Sequence, residues 1–176
     1  MEFYYPNFIN DHWRIEGEIF FGGRNYFIKT EETDNTSKRV KPTRFDREAI
    51  VDFCCAKGIA FYDTATAIRR LKDNASDEFL EVVEPTDIRA LLAKLPLCEA
   101  IVTTGQKATE TLCHYFNIAA GPKVGESIAI PNIYARNGRQ IRLFRLPSSS
   151  RAYPLAFEKK VAAYRNMFEA VGMINQ

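Results

Sequence analysis

The sequence lacks an apolar run of the roughly 18 to 20 residues that a membrane-spanning helix needs. The segment Met1–Pro6 also lacks the basic region and apolar stretch of a signal peptide. The cysteines show neither Cys-x-x-Cys spacing nor a nearby pair of histidines, and they are Cys54, Cys55, Cys98 and Cys113. We therefore expect no metal, no cofactor, no membrane partner and a reducing, cytoplasmic location.

Histidine is scarce, and the two that occur, His12 and His114, do not form part of a Ser-His-Asp pattern typical of hydrolases. Both lie in predicted helices, and we interpret them as surface or core residues. The 176 residues are 46% hydrophobic and 26% charged, which is typical of an ordinary folded domain. We expect a single domain over residues 1–176 and a monomer.

The net charge is only +2, but the charge is unevenly distributed. Between Tyr134 and Arg165 the chain carries +7, which leaves 16 basic and 21 acidic residues elsewhere. The basic residues of this segment are Arg136, Arg139, Arg142, Arg145, Arg151, Lys159, Lys160 and Arg165. Such a block indicates either an anionic partner bound by one face or an ordinary solvated strand and helix.

Hydrophobic spacing predicts helices that alternate with buried strands. The predicted helices cover residues 10–21, 46–57, 87–95, 105–116 and 157–171. The predicted strands cover residues 59–62 and 100–104, and a hairpin over 128–135 and 140–146 turns at Asn137-Gly138. This order predicts an α/β sandwich with a mainly parallel sheet.

Polar residues follow the predicted strands, where open parallel sheets bind ligands. Hydroxyls and backbone amides of Ser148, Ser149 and Ser150 could hold phosphate oxygens, with Arg151 adding positive charge. Serine-rich turns also cap helices, so this pattern has both interpretations. Asp63, at the end of another predicted strand, could bond the edge of a base or cap the next segment.

Two residues near the start of the chain also have two interpretations. Asn10 precedes a predicted helix and could be its N-cap. Tyr5 could be a core or rim aromatic, or an exposed platform on which a base stacks.

Several short motifs occur in an order that resembles the uracil-DNA glycosylase superfamily. They are Phe3-Tyr4-Tyr5, Asn10 with Trp13, Gly58 to Asp63, Gly105 to Ala108, and Leu146 to Ser150. The chain is most similar to the mismatch-type and hypoxanthine (deoxyinosine) branch, and the resemblance runs from residue 3 to about residue 168.

The resemblance implies a DNA glycosylase that needs no cofactor and removes a deaminated base, hypoxanthine or uracil, flipped from DNA. It implies that Asn10 is catalytic, that Tyr5 stacks on the base and that Asp63 reads the base edge. It also implies that the loop from Pro147 to Ser150 contacts the DNA backbone, and that residues 151–153 lie where the family inserts a wedge into the gap left by the base.

Two departures from the family pattern matter. Leu146 stands where many relatives have histidine or asparagine, which disfavours a histidine-assisted mechanism. The family's first strand and its Gly- and Pro-containing motif, about 20 to 30 residues, would precede Met1. We therefore expect a three-layer α/β/α sandwich without the family's first strand. A non-catalytic DNA- or nucleotide-binding domain is the alternative, and a domain whose basic hairpin binds a protein is a third hypothesis.

Overall fold

The computed structural model describes residues 3–29, 44–70, 80–130 and 140–175, and the chain divides into two units. Unit 1 joins Met1–Phe61 to Ser149–Gln176, and unit 2 is the intervening Tyr62–Ser148. In chain order the elements are α1 (His12–Phe21), β1 (Ile28–Lys29), β2 (Arg44–Phe45), α2 (Arg47–Lys57), β3 (Ala65–Arg70), β4 (Leu80–Pro85), α3 (Ile88–Ala93), β5 (Ala100–Thr103), α4 (Gln106–Tyr115), β6 (Ser127–Ala129), β7 (Arg142–Arg145) and α5 (Phe157–Ala170). The single domain expected from the sequence stays a prediction.

The ends of α1 and α2 are set by local sequence. Gly22 and Gly58 follow the two helices with φ of 67°, a left-handed conformation that glycine adopts without steric cost. At the start of α2, the Asp46 carboxylate accepts a hydrogen bond from the Ala49 N–H at 3.3 Å. These signals are visible in the sequence, and the helices predicted there are confirmed.

Aromatic side chains form the core of unit 1. Trp13 is 2% exposed, and its indole N–H donates to the Tyr4 carbonyl oxygen at 3.0 Å. The ring of Phe20 meets Phe53 of α2 edge-on at 4.9 Å and Phe168 of α5 at 4.8 Å. Interlocking rings of this kind add specific geometry to the burial of apolar area. The core therefore fixes α1, the helix that carries the candidate site.

Unit 2 contains a three-stranded sheet in the order β5-β7-β6. β5 and β7 are parallel, whereas β6 pairs antiparallel with β7. A separate antiparallel pair is formed by β3 and β4. The hydrophobic core of this unit is formed by Ile88, Leu92, Leu112, Cys113, Phe116, Ile130, Ile141 and Leu143.

The α/β class is confirmed, but the mainly parallel three-layer sandwich is not. Among the described strands only β5 and β7 pair in parallel, and the other pairs, including β1 with β2, are antiparallel. The strand predicted over residues 59–62 is wrong. The Ile59 N–H donates to the Cys54 carbonyl at 2.9 Å, so this backbone group closes the end of α2 and is not available to a sheet.

The predicted hairpin is confirmed only as the pairing of β6 with β7. Its turn, Asn137-Gly138, lies outside the described residues, as do Arg136 and Arg139 of the basic segment. None of the helices in the described ranges is both long and apolar enough to cross a bilayer.

Candidate functional site

Two segments far apart in sequence meet in unit 1. Asn10 and Ser150 form an isolated antiparallel bridge, and the Asp11 N–H donates to the Ser149 carbonyl at 2.9 Å. The Arg151 N–H completes the pairing by donating to the Ile9 carbonyl at 3.4 Å. We refer to this contact between residues 9–11 and 149–151 as the loop pairing. It brings the predicted catalytic residue beside the predicted DNA-binding segment.

The amide of Asn10 organises the turn before α1. Its Oδ1 accepts the His12 N–H at 2.9 Å, and its backbone N–H donates to the Asn7 carbonyl at 2.9 Å. The N-cap position belongs to Asp11, whose side chain makes no capping bond. Asn10 is therefore not the N-cap that the sequence suggested. It lies one residue before the N-cap and orders the start of α1 through an Asx-turn.

Asp11 connects two arginines at the loop pairing. Its Oδ1 lies 2.8 Å from Arg151 Nε and 3.6 Å from Arg14 Nη1. Arg14 is 4% exposed and donates to the backbone carbonyl of Phe8 at 3.0 Å, whereas 47% of the Arg151 side chain is exposed. Burial lowers the pKa of Arg14, and the positive charge of Arg151 lowers it further. Arg151 is therefore the arginine of this group that can reach a partner.

The segment 149–151 is also held from α5. Lys160 is 2% exposed, and its ammonium donates to the Ser150 carbonyl at 2.7 Å. Burial lowers the pKa of Lys160, while nearby Asp11 acts in the opposite direction. Ser149 is 1% exposed and its side chain hydrogen-bonds to Tyr164. Ser149 therefore anchors the segment, whereas Ser150 is half-buried.

Tyr5 lies on a buried pair of polar side chains. Its ring stacks on His12 with centroids 4.2 Å apart and an interplanar angle of 20°, and its backbone has φ of 53°. His12 Nε2 lies 3.6 Å from Glu16 Oε1, and both residues are buried. No hydrogen-bond partner for His12 Nδ1, His12 Nε2 or Glu16 Oε2 is present in the described ranges.

The buried pair is uncharged at neutral pH. Burial lowers the pKa of His12 to about 3 and raises the pKa of Glu16 to about 8. The contact between them is therefore one of a neutral imidazole with a carboxylic acid and not an ion pair. Its surroundings are aromatic, with Phe61 and Tyr164 meeting the His12 ring edge-on at 5.3 and 6.1 Å.

The predicted site residues are divided between the two units. Unit 1 contains Tyr5, Asn10, Ser149, Ser150 and Arg151, and unit 2 contains Asp63 and Ser148.

Asp63 was predicted to end a strand, but no strand directly precedes it, and it lies just before β3. Its backbone carbonyl accepts a hydrogen bond from Thr86 Oγ1 at 2.6 Å. The basic segment is divided as well, because Arg142 and Arg145 belong to unit 2 and Lys160 to unit 1.

The sequence did not indicate that five further residues take part in the contacts of this site. They are Asp11, His12, Glu16, Lys160 and Tyr164. A spacing signal existed for two pairs. His12 and Glu16 are four residues apart, as are Lys160 and Tyr164, so each pair shares one helix face. Tyr164 is one of the buried residues of α5, and the position of Lys160 on the same face is consistent with its burial.

Comparison with protein-family models, with curated proteins and with solved structures gives no match to this chain. Over the ranges that the structure describes, no three His, Cys, Asp or Glu side chains form a group able to hold a metal ion. The four cysteines are free thiols.

Proposed function

We propose that this protein is a DNA glycosylase of the uracil-DNA glycosylase superfamily, of the mismatch-type or hypoxanthine branch. It acts as a cytoplasmic monomer without a cofactor, has the three-layer α/β/α sandwich of that superfamily, and removes hypoxanthine or uracil flipped from DNA. The observation that carries the proposal is the loop pairing. It brings Asn10, which the resemblance identifies as catalytic, into backbone contact with Ser150 of the proposed DNA-binding segment.

The charge balance around the loop pairing supports an anionic partner. Arg14, Arg151 and Lys160 carry three positive charges, and Asp11 is the carboxylate that contacts both arginines. The net charge of these four side chains is therefore positive, and the guanidinium of Arg151 is exposed. A phosphate group is attracted by such a surface, and phosphate contacts supply most of the sequence-independent affinity for DNA.

The position of Tyr5 supports the binding of a flipped base. His12 covers one face of the Tyr5 ring, and the edge of Phe61 meets that ring at 5.9 Å. In the proposed complex a flipped base stacks on the Tyr5 ring, which is half-buried. Stacking of this kind is sequence-tolerant, since every base has an aromatic face.

Hydrolysis of the N-glycosidic bond requires stabilisation of charge on two fragments. The bond pair leaves with the base, the sugar becomes oxocarbenium-like, and water adds to the sugar carbon while the base gains a proton. In the proposed mechanism the Asn10 Nδ2 donates a hydrogen bond to the departing base or to the attacking water. A fixed dipole of this kind acts without reorganisation during the reaction.

The test is base excision by the purified full chain. Duplexes that carry one hypoxanthine or one uracil are incubated with the protein, and abasic sites are then cleaved with alkali. Release of either base supports the proposal. Salt-sensitive binding of these duplexes without any release would favour the non-catalytic DNA-binding domain instead.

A further inference from the structure

The buried pair of His12 and Glu16 has polar atoms that its surroundings leave without hydrogen bonds. His12 Nε2 and Glu16 Oε1 are 3.6 Å apart, which is too long for a hydrogen bond. Within the described ranges, both ring nitrogens of His12 and the Oε2 of Glu16 have no partner. Buried polar groups in this condition cost stability, so their presence in a folded protein calls for an explanation. Their position next to Tyr5 provides one.

Tyr5 depends on this pair for its position. The Tyr5 backbone has φ of 53°, a conformation that favours glycine, and its ring stacks on the His12 ring with centroids 4.2 Å apart. The centre of the Phe61 ring lies 5.9 Å from the Tyr5 ring and 5.3 Å from the His12 ring. Strained backbone of this kind persists only where packing determines it, and it concentrates at functional sites. A shift of the His12 ring would therefore move Tyr5.

The described groups that face Glu16 carry no positive charge. Cys54 of α2 and Tyr164 of α5 both interact electrostatically with Glu16, and burial raises the pKa of each, to about 11 for Cys54. Both are therefore neutral at pH 8, as is His12, because burial lowers its pKa to about 3. Protonated Glu16 fits these surroundings. Its carboxylate would lie in an apolar core without a counter-ion, a state that is relieved when water enters or the pair moves apart.

We propose that Glu16 and His12 are positioning residues that hold Tyr5 where a flipped base stacks while Glu16 is protonated, and release it when Glu16 ionises. The base-stacking part of this inference rests on the proposed function, whereas the effect on Tyr5 does not. Ionisation of Glu16 brings water toward His12, the stack of Tyr5 on His12 loosens, and the strained Tyr5 backbone relaxes. Since burial raises the pKa of Glu16 to about 8, the release occurs as the pH rises through about 8.

The position of Tyr5 can be measured without DNA. In protein labelled with ring-¹³C tyrosine, the NMR signals of Tyr5 are identified by their absence from Tyr5→Phe, and stacking on His12 displaces them from the values of a free tyrosine. We expect them to move toward the free values as the pH rises from about 6.5 to about 9 in the parent, with constant far-ultraviolet circular dichroism. They should stay in place in Glu16→Gln.

Glu18→Gln removes a half-buried carboxylate from the same helix and should behave like the parent, which makes it the matched control. Tyr5 signals that do not change in the parent, or that change equally in Glu16→Gln, would overturn the proposal. The titration of the parent alone decides the matter if Glu16→Gln does not fold.

The effect on binding is measured by fluorescence anisotropy with a hypoxanthine duplex and its undamaged counterpart. The preference of the parent for the lesion should fall at least about fivefold as the pH rises through 8, as expected for the loss of a base stack, and Glu16→Gln should keep its preference. Both proteins meet the same duplex at each pH, so titration of the base itself affects them alike. A preference that falls equally in Glu16→Gln would overturn the role of Glu16 in binding. Movement of the Tyr5 signals in a parent that prefers neither duplex would count against the proposed function and support the positioning of Tyr5 by the pair.

Discussion

The ring of Tyr5 stacks on the ring of His12 at a centroid distance of 4.2 Å. Tyr5 holds this position with a positive φ of 53°, which costs on the order of 1 kcal/mol or more for a residue other than glycine. His12 is buried, and the edges of Trp13 and Phe61 fix its orientation at 4.9 and 5.3 Å. The strained backbone is thus retained because the packed aromatic rings determine where Tyr5 lies.

If Tyr5 stacks on a flipped base, Tyr5→Ala should lose about 1–3 kcal/mol of affinity for lesion-containing DNA. Tyr5→Phe should lose little, because the ring face provides the stacking. Tyr26→Ala removes another tyrosine, one that is 53% exposed and stacked on Phe21, and serves as the control. Fluorescence anisotropy with lesion and undamaged duplexes measures the difference. Equal losses of Tyr5→Ala on both duplexes would mean that Tyr5 is structural.

Asn10 and Asn7 allow the turn-forming and catalytic roles of Asn10 to be separated. The Oδ1 of each accepts the N–H two residues ahead, at 2.9 Å for Asn10 and 3.0 Å for Asn7. Substitution by aspartate keeps this acceptor but removes the amide donor. We expect both variants to melt near the parent and only Asn10→Asp to excise at least about a hundredfold more slowly. Single-turnover excision of hypoxanthine beside thermal melts tests this, and normal excision by Asn10→Asp would leave Asn10 as a residue of the turn.

Arg151 is expected to contact a phosphate, so Arg151→Ala should reduce the salt dependence of DNA binding by about one unit of charge. Arg47→Ala removes the same charge from an exposed position on α2 and is the control. The slope of log affinity against log salt concentration is measured for each protein. A parent whose affinity does not change with salt would contradict the phosphate contact.

The buried pair predicts a stability maximum in weakly acidic solution. The pKa of Glu16 is about 8 in the folded protein and about 4.5 in the unfolded chain, so between these values the folded state binds more protons. The free energy of unfolding therefore falls as the pH rises from about 4.5 to about 8. His12 titrates near 3 when folded and near 6.5 otherwise, so stability falls as pH drops through that range. Together the two groups favour folding most between about 4.5 and 6.5.

Glu16→Gln should remove the alkaline decline, because the amide stays neutral. Since one pKa unit corresponds to about 1.4 kcal/mol, we expect the variant to gain more than about 1 kcal/mol over the parent as pH rises through 8. Glu18→Gln on the same helix controls for the loss of a carboxylate. Urea unfolding at a series of pH values provides the measurement, and a decline in Glu16→Gln as steep as in the parent would refute the prediction.

Local signals in the sequence predicted the helices well. The Asp46 cap and the glycines after α1 and α2 are short-range features, and the apolar stripe of α5 depends only on spacing. The strand predicted from Ile59 failed because a helix-ending hydrogen bond competed for its backbone. Such competition is not visible in an apolar run, which is compatible with several structures.

The candidate site was predicted in part. Asn10, Tyr5 and Arg151 were chosen as site residues, and the backbone contact of Asn10 with Ser150 joins two of the motifs on which the resemblance depends. The burial of Glu16 could not be predicted, because a glutamate is almost always solvated and its side chain gives no local sign of burial. Tertiary packing decides such positions.

The arginine and aspartate that join the loop pairing, Arg151 and Asp11, are 140 residues apart, and all of unit 2 is synthesised between them. On the ribosome, α1 therefore emerges long before its partner segment exists. Until then Asp11 lacks its backbone contact with residues 149–151. Contacts between residues so distant in sequence form late in folding. The loop pairing is consequently completed only after all of unit 2 has been synthesised, so it forms after α1 and unit 2 have had time to fold.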